Sequence, residues 1–135
     1  DFAHAPSKLK ATVEAVKSRY PSRKLVACME LHTFSSLDKN FLPQYHNTML
    51  LADEPIVYFN PGVIEHKGLS PISTADVAKA FNIPEHSVIV TPEALLERLE
   101  KIEFRNTNLL IMTSGSLGGI DIKAWISKKM DKTKQ

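Results

Sequence analysis

Apolar residues recur along this chain in two alternating rhythms. Leu9, Val13, Val16 and Tyr20 return at three- to four-residue intervals, the spacing that lines one face of a helix. Pro6 and Ser7 ahead of them suit a first turn and a cap, so residues 7–20 are expected to form an amphipathic helix that Pro21 ends. The run KLVACME (24–30) is almost continuously apolar, the pattern of a strand covered on both faces, and it predicts a central parallel strand. Leu37, Phe41, Tyr45 and Met49 stand four apart within 36–51 and predict a second helix, started near Asn40 or kinked by Pro43. PIVYF (55–59) reads as another buried strand, and NPGVIEHKGLSP after it as an irregular loop. Beyond it come a capped helix STADVAKAF (73–81), a strand SVIV (87–90), and a helix TPEALLERLEKI (91–102) with Thr91 as cap and Pro92 first. A strand NLLIMT (108–113) and a closing helix from Gly118 to Met130 complete the order.

Strands alternating with helices imply right-handed crossovers. The expected fold class is therefore α/β: a three-layer, doubly wound, mainly parallel sheet of Rossmann-like type, formed as one domain over residues 1–135. In such sheets ligands collect at the carboxyl ends of the strands. ELHTFSS (30–36), NPGVIEHKG (60–68) and SGSLGG (114–119) fall at those ends, and DFAH (1–4) would join them if a strand preceded it. Asp1, Phe2 and His4 stand ahead of the first helix with no capped element before them, so the chain is expected to be a piece of a longer protein.

Composition narrows the function classes. A chain of 135 residues, 43% hydrophobic and 24% charged, is long enough to bury a real core. Its 17 basic and 15 acidic residues leave a formal charge of +2, and outside the tail KKMDKTK no basic cluster suggests nucleic-acid binding. The single cysteine, Cys28, permits no disulfide framework or thiolate metal cage and is expected to be an inert core residue. No apolar stretch reaches the ~18 residues of a membrane span and no signal-peptide core is visible, so a cytoplasmic setting without membrane partners is expected.

The candidate chemistry is sparse. TSGSLGGID has the small residues that could hold an anion on backbone N–H groups, but it matches neither GxxxxGK[ST] nor GxGxxG, and composition favours a plain strand-to-helix turn. His4 and His32 could meet a phosphate or carboxylate, or simply hydrogen-bond locally. His46, His66 and His86 lack a ligand spacing with any carboxylate, so no metal site is assigned. Glu30, closing an apolar strand, either pairs with a basic group or faces the ligand crevice. Ser114 and Ser116 have no acid–base partner nearby in sequence, which argues against a nucleophile.

DFAHAPSKLKATVEAVKSRYPSRKLVACMELHTFSS, followed by LADEPIVYF and LLIMTSGSLGGID, resembles the carboxy-terminal domain of the Mur ligases, the ATP-dependent amide-forming enzymes of peptidoglycan assembly. That domain opens with a D-[FY]-[GA]-H-x-P motif, which Asp1, Phe2, Ala3, His4 and Pro6 match; the likeness covers nearly the whole chain. It implies that Asp1, His4 and Ser7 face the ATP cleft, that Glu30, His32, Thr33 and Ser35 face the acyl phosphate and incoming amine, and that Ser114, Gly115 and Ser116 help hold the amino-acid or peptide substrate. It implies ATP and Mg²⁺ as cofactors, UDP-N-acetylmuramate as the other substrate, and upstream ATP-binding and UDP-sugar-binding domains.

Within the family, DFAH and SGSLGGID are most similar to the ligase that joins UDP-N-acetylmuramate to L-alanyl-γ-D-glutamyl-meso-diaminopimelate. The L-alanine ligase is the alternative; its usual PHRYSR is LHTFSS here, without either arginine, and Ala5 replaces a second histidine. The chain lacks GxxxxGK[ST], so the fragment alone is expected to contain no catalytic residues and to show no ATP turnover. Without the resemblance, a stand-alone flavodoxin-like module binding a small ligand or a protein remains the other reading.

Overall fold

The computed structural model describes residues 5–113 and 115–134, with side chains described as far as Lys129. Four strands form one sheet in the order β3–β2–β1–β4: β1 (Lys24–Leu31), β2 (Glu54–Phe59), β3 (Val88–Ile89) and β4 (Thr107–Met112). Every pairing is parallel, with Cys28 opposite Ile56 on one side and Ile111 on the other. The chain builds outward from β1 through β2 to β3, then crosses back to place β4 on β1's free side. That reversal is the doubly wound arrangement expected from the sequence.

Alternation along β1 feeds two cores. Leu25, Ala27, Met29 and Leu31 point to one face, where they pack with Leu9 and Val13 of α1 (Pro6–Arg19), Ile64 of α2 (Pro61–His66), and Val77 and Phe81 of α3 (Thr74–Phe81). Val26 and Cys28 point to the other, against Leu95 and Leu99 of α4 (Pro92–Glu100) and Trp125 of α5 (Ile122–Lys134). A strand buried from both sides has no reason to alternate polar with apolar residues, which is why KLVACME reads as a continuous run.

Four sequence expectations need correcting. Residues 36–51 are not a helix but a series of turns around a 3₁₀ segment, Leu42–Tyr45. Pro43 supplies no backbone N–H to a longer helix, and Asn47 sits in the left-handed region at φ 62°, so the helical path is broken twice. The four-residue spacing still reports burial: Leu37, Tyr45 and Met49 are all core, and Tyr45 stacks on Phe81 with ring centroids 4.8 Å apart. Conversely, NPGVIEHKG is not wholly irregular. Asn60 accepts the Gly62 N–H at 2.9 Å and Pro61 takes the first position, which starts α2. Gly118 and Gly119 precede the last helix in a separate 3₁₀ turn, and Asp121 caps α5 by accepting the Ala124 N–H at 3.1 Å. At α1, the cap position is Ala5, which offers no side-chain acceptor, and Pro6 rather than Ser7 opens the helix.

Candidate functional site

The point where strand order reverses lies between β1 and β4, and the segments leaving those two strands meet there. Glu30 is the last polar residue of β1 and points to the α4/α5 face, 4% exposed. Its Oε1 accepts the Leu117 backbone N–H at 3.1 Å and the Thr113 hydroxyl. Thr113 in turn accepts the Gly115 N–H at 3.0 Å. One carboxylate at the end of β1 therefore folds the segment that leaves β4, tying strands 83 residues apart in sequence. Two donors on a carboxylate oxygen meet the demand that a buried charge be hydrogen-bonded. Glu30 thus lies at the carboxyl end of β1 and shapes the segment that leaves β4.

Gly115 fits between Glu30 and His32. A Cβ at Gly115 would lie 2.7 Å from Glu30 Oε1 and 2.8 Å from His32 Cγ, so only glycine allows the backbone to pass this close. Thr33 is turned inward: its hydroxyl donates to Ser36 Oγ at 3.0 Å and accepts the Ser36 N–H at 3.2 Å, closing a local turn. Ser35 and Ser116 are exposed, each engaged through its backbone carbonyl, which accepts from Asp38 and Gly119 respectively at 3.1 and 3.0 Å. Phe34, between Thr33 and Ser35 in the first loop, stands 58% exposed.

Ser7 lies exposed in the first turn of α1. Only Ser22 and its neighbours join α1 to β1, so the helix runs back along the strand and its amino end comes to the carboxyl edge of the sheet. Asp1, His4 and Ser114 lie outside the described residues. The structure thus brings Glu30, His32 and Gly115 into contact and holds Thr33, Ser35 and Ser116 on the same edge.

Two participants escaped the sequence reading. Thr113 looked like the end of a strand, and Tyr58 like one more core aromatic of β2. Tyr58 stands opposite Glu30 in the ladder, on the same face. Pairing either with Glu30 requires the strand order, which no local pattern encodes.

The remaining groups behave as buried apolar chemistry predicts. The Cys28 thiol, fully buried, is pushed up to about 12, first by burial and then by the negative charge of Glu30. It is a packing residue, not a nucleophile. Among the described residues no group of three or more His, Cys, Asp or Glu side chains converges as a metal site would require. Among the described residues no helix is long and apolar enough to cross a membrane.

Fold and site together define a doubly wound α/β domain whose β1 and β4 loops meet at the switch point. No family model matches the chain. Over 123 residues, 90% of its length, it is 28% identical to a UDP-N-acetylmuramate–L-alanine ligase of Cytophaga hutchinsonii; over 117 residues, 87% of its length, it is 27% identical to the enzyme of that name from Limosilactobacillus reuteri. It spans only about a quarter of each relative, 24% and 25%. A solved domain from Haemophilus ducreyi, from a proposed UDP-N-acetylmuramate:L-alanyl-γ-D-glutamyl-meso-diaminopimelate ligase, superposes with a TM-score of 0.54, covering 94% of this chain and 86% of that one. At 21% identity that match speaks for the fold alone. The chain's homologues are Mur ligases, the family that its opening motif resembles.

Proposed function

We propose that this chain is the carboxy-terminal, amine-receiving domain of an ATP-dependent ligase that acts on UDP-N-acetylmuramate in peptidoglycan synthesis or recycling, in the cytoplasm. The observation that carries the reading is the meeting of Glu30, His32 and Gly115 at the β1/β4 switch point of a domain whose relatives are about four times as long.

An amide ligase must activate a carboxylate as an acyl phosphate, keep water from it and present an amine. The residues here fit the last of these tasks and not the first. The chain has no GxxxxGK[ST], and the described residues assemble no three-member donor set for Mg²⁺. ATP and Mg²⁺ are therefore assigned to upstream domains, which would close against the carboxyl edge of this sheet. On this side, Ser7 at the start of α1, with Asp1 and His4 ahead of it, would meet the nucleotide. Glu30, His32, Thr33 and Ser35 would face the amine, and Ser114, Gly115 and Ser116 would flank it.

The amine we favour is L-alanyl-γ-D-glutamyl-meso-diaminopimelate, because the first loop, His32 to Ser36, carries neither arginine of the usual L-alanine pattern. Free L-alanine is the second reading, favoured by the names of the two sequence relatives. The full-length protein, given UDP-N-acetylmuramate, ATP and either amine, is expected to form product faster with the tripeptide. Preference for L-alanine would reverse the choice between amines, and turnover with neither would overturn the ligase reading.

A further inference from the structure

The side chain of Tyr58 is wholly inaccessible, at 0% exposure, and among the described residues its hydroxyl has no hydrogen-bond partner. Leaving a buried hydroxyl unpaired carries a desolvation penalty, so a fold that keeps one does so for a reason other than stability. Tyr58 lies at the carboxyl end of β2, opposite Glu30, within the edge where the candidate site has gathered.

The cover over this hydroxyl is the turn Leu117–Gly119. A Cβ at Gly118 would stand 2.7 Å from the Tyr58 oxygen and 2.5 Å from Pro92 Cγ, so the turn's backbone lies directly on both. The same turn is strained: Leu117, Gly118 and Gly119 have φ of 51°, 66° and 89°, and leucine has no glycine-like tolerance for that region. An unpaired donor thus lies beneath a turn that holds a left-handed leucine, and a movement of that turn would relieve both. The turn is held down by the Leu117 N–H on Glu30. Burial, followed by the negative charges of Glu30 and Glu93, raises the Tyr58 pKa above its usual value, which keeps the proton on the oxygen and the group a donor.

We propose that Tyr58 is a substrate-positioning residue: when the Leu117–Gly119 turn lifts, its hydroxyl donates a hydrogen bond to a carboxylate or amide oxygen of the amine substrate. The inference rests on the ligase reading, and both amines named there carry such an oxygen. Hydrogen-bonded recognition of this kind discriminates strongly because an unmet donor in a closed site is costly.

The test compares the full-length wild type with Tyr58→Phe, measuring KM and kcat for the tripeptide and for L-alanine, and Tm. Expected are a KM for the preferred amine raised about ten-fold, as for a lost hydrogen bond to a charged oxygen, a kcat within about two-fold, and a Tm equal to or above wild type, because the variant deletes an unpaired polar atom. An unchanged KM, a loss confined to kcat, or a fall in Tm overturns the proposal; the last would mean that the hydroxyl is already paired inside the fold. A wild type inactive with both amines overturns the ligase reading and this inference with it, whereas an active wild type indifferent to the substitution overturns this inference alone.

Discussion

The Glu30 carboxylate receives the Leu117 backbone N–H at 3.1 Å across 87 residues of sequence. With the Thr113 hydroxyl on the same oxygen, it is the tie between β1 and the segment leaving β4. Truncation strands one buried and one part-buried donor at once. Glu30→Ala is expected to destabilise the domain by about 2–4 kcal/mol, whereas Glu30→Gln, which keeps an acceptor oxygen in place, should cost less than half as much. Urea unfolding of the three proteins checks the ratio; equal losses would mean that the negative charge, rather than the acceptor, holds the loop.

Gly118 and Gly119 separate space from backbone conformation. Both have positive φ, but a Cβ at Gly118 would strike Pro92 and Tyr58, while one at Gly119 meets nothing within 4 Å. Gly119→Ala should therefore cost only the left-handed penalty, about 1–2 kcal/mol. Gly118→Ala should cost that plus the displacement of Pro92, another ~1–3 kcal/mol. Thermal denaturation should rank Gly118→Ala well below Gly119→Ala, and the reverse order would show that the turn does not rest on Pro92.

The same contacts show where local pattern carries structural information and where it does not. Thr91 and Ser73 announce their helices because caps act within three residues: Thr91 accepts the Ala94 N–H and Ser73 that of Asp76. The continuous apolar run of β1 announces a two-sided strand because burial on both faces removes alternation. The segment 36–51 misleads because Leu37, Tyr45 and Met49 are buried at helical spacing on a backbone that Pro43 and Asn47 keep from being helical. Glu30 and His32 are legible as candidates from their place at a strand end. Thr113 and Tyr58 are not, since each meets Glu30 only through adjacency of strands distant in sequence.

Cys28 gives an alkaline signature. Its pKa rises from an ordinary 9.0 to about 12 in the fold, with burial the larger cause and Glu30 the second. Above pH 9 the unfolded chain loses this proton while the native state keeps it, so the native state binds more protons and stability falls as pH rises toward 12. Tyr45, raised by burial, acts in the same direction at higher pH. The thiol should resist a disulfide reagent at pH 8 in the native protein and react at once in denaturant. Cys28→Ala should lose less stability than wild type between pH 9 and 11, and parallel curves would mean that the thiol is solvent-accessible.

Asp53 gives the acid counterpart. Its carboxylate accepts from Lys17 Nζ at 2.8 Å and from the Leu25 N–H at 2.7 Å, pinning α1 and the start of β1 to the turn before β2. The Lys17 hydrogen bond, more than the Leu25 amide, holds its pKa below the ordinary 3.8. A lowered folded pKa means that the unfolded chain takes up the proton first on acidification, so the contribution is present above pH 3.8 and is lost as pH falls through the folded value. The Asp53 side chain is 42% exposed, so water and salt screen the pair and the effect at neutral pH should be modest. Asp53→Asn should lower stability slightly at pH 7 and flatten its decline between pH 5 and 3, followed by urea unfolding at low salt. If the variant and wild type decline in parallel, the proton lost on folding comes from another carboxylate and Asp53 serves only as the cap for Leu25.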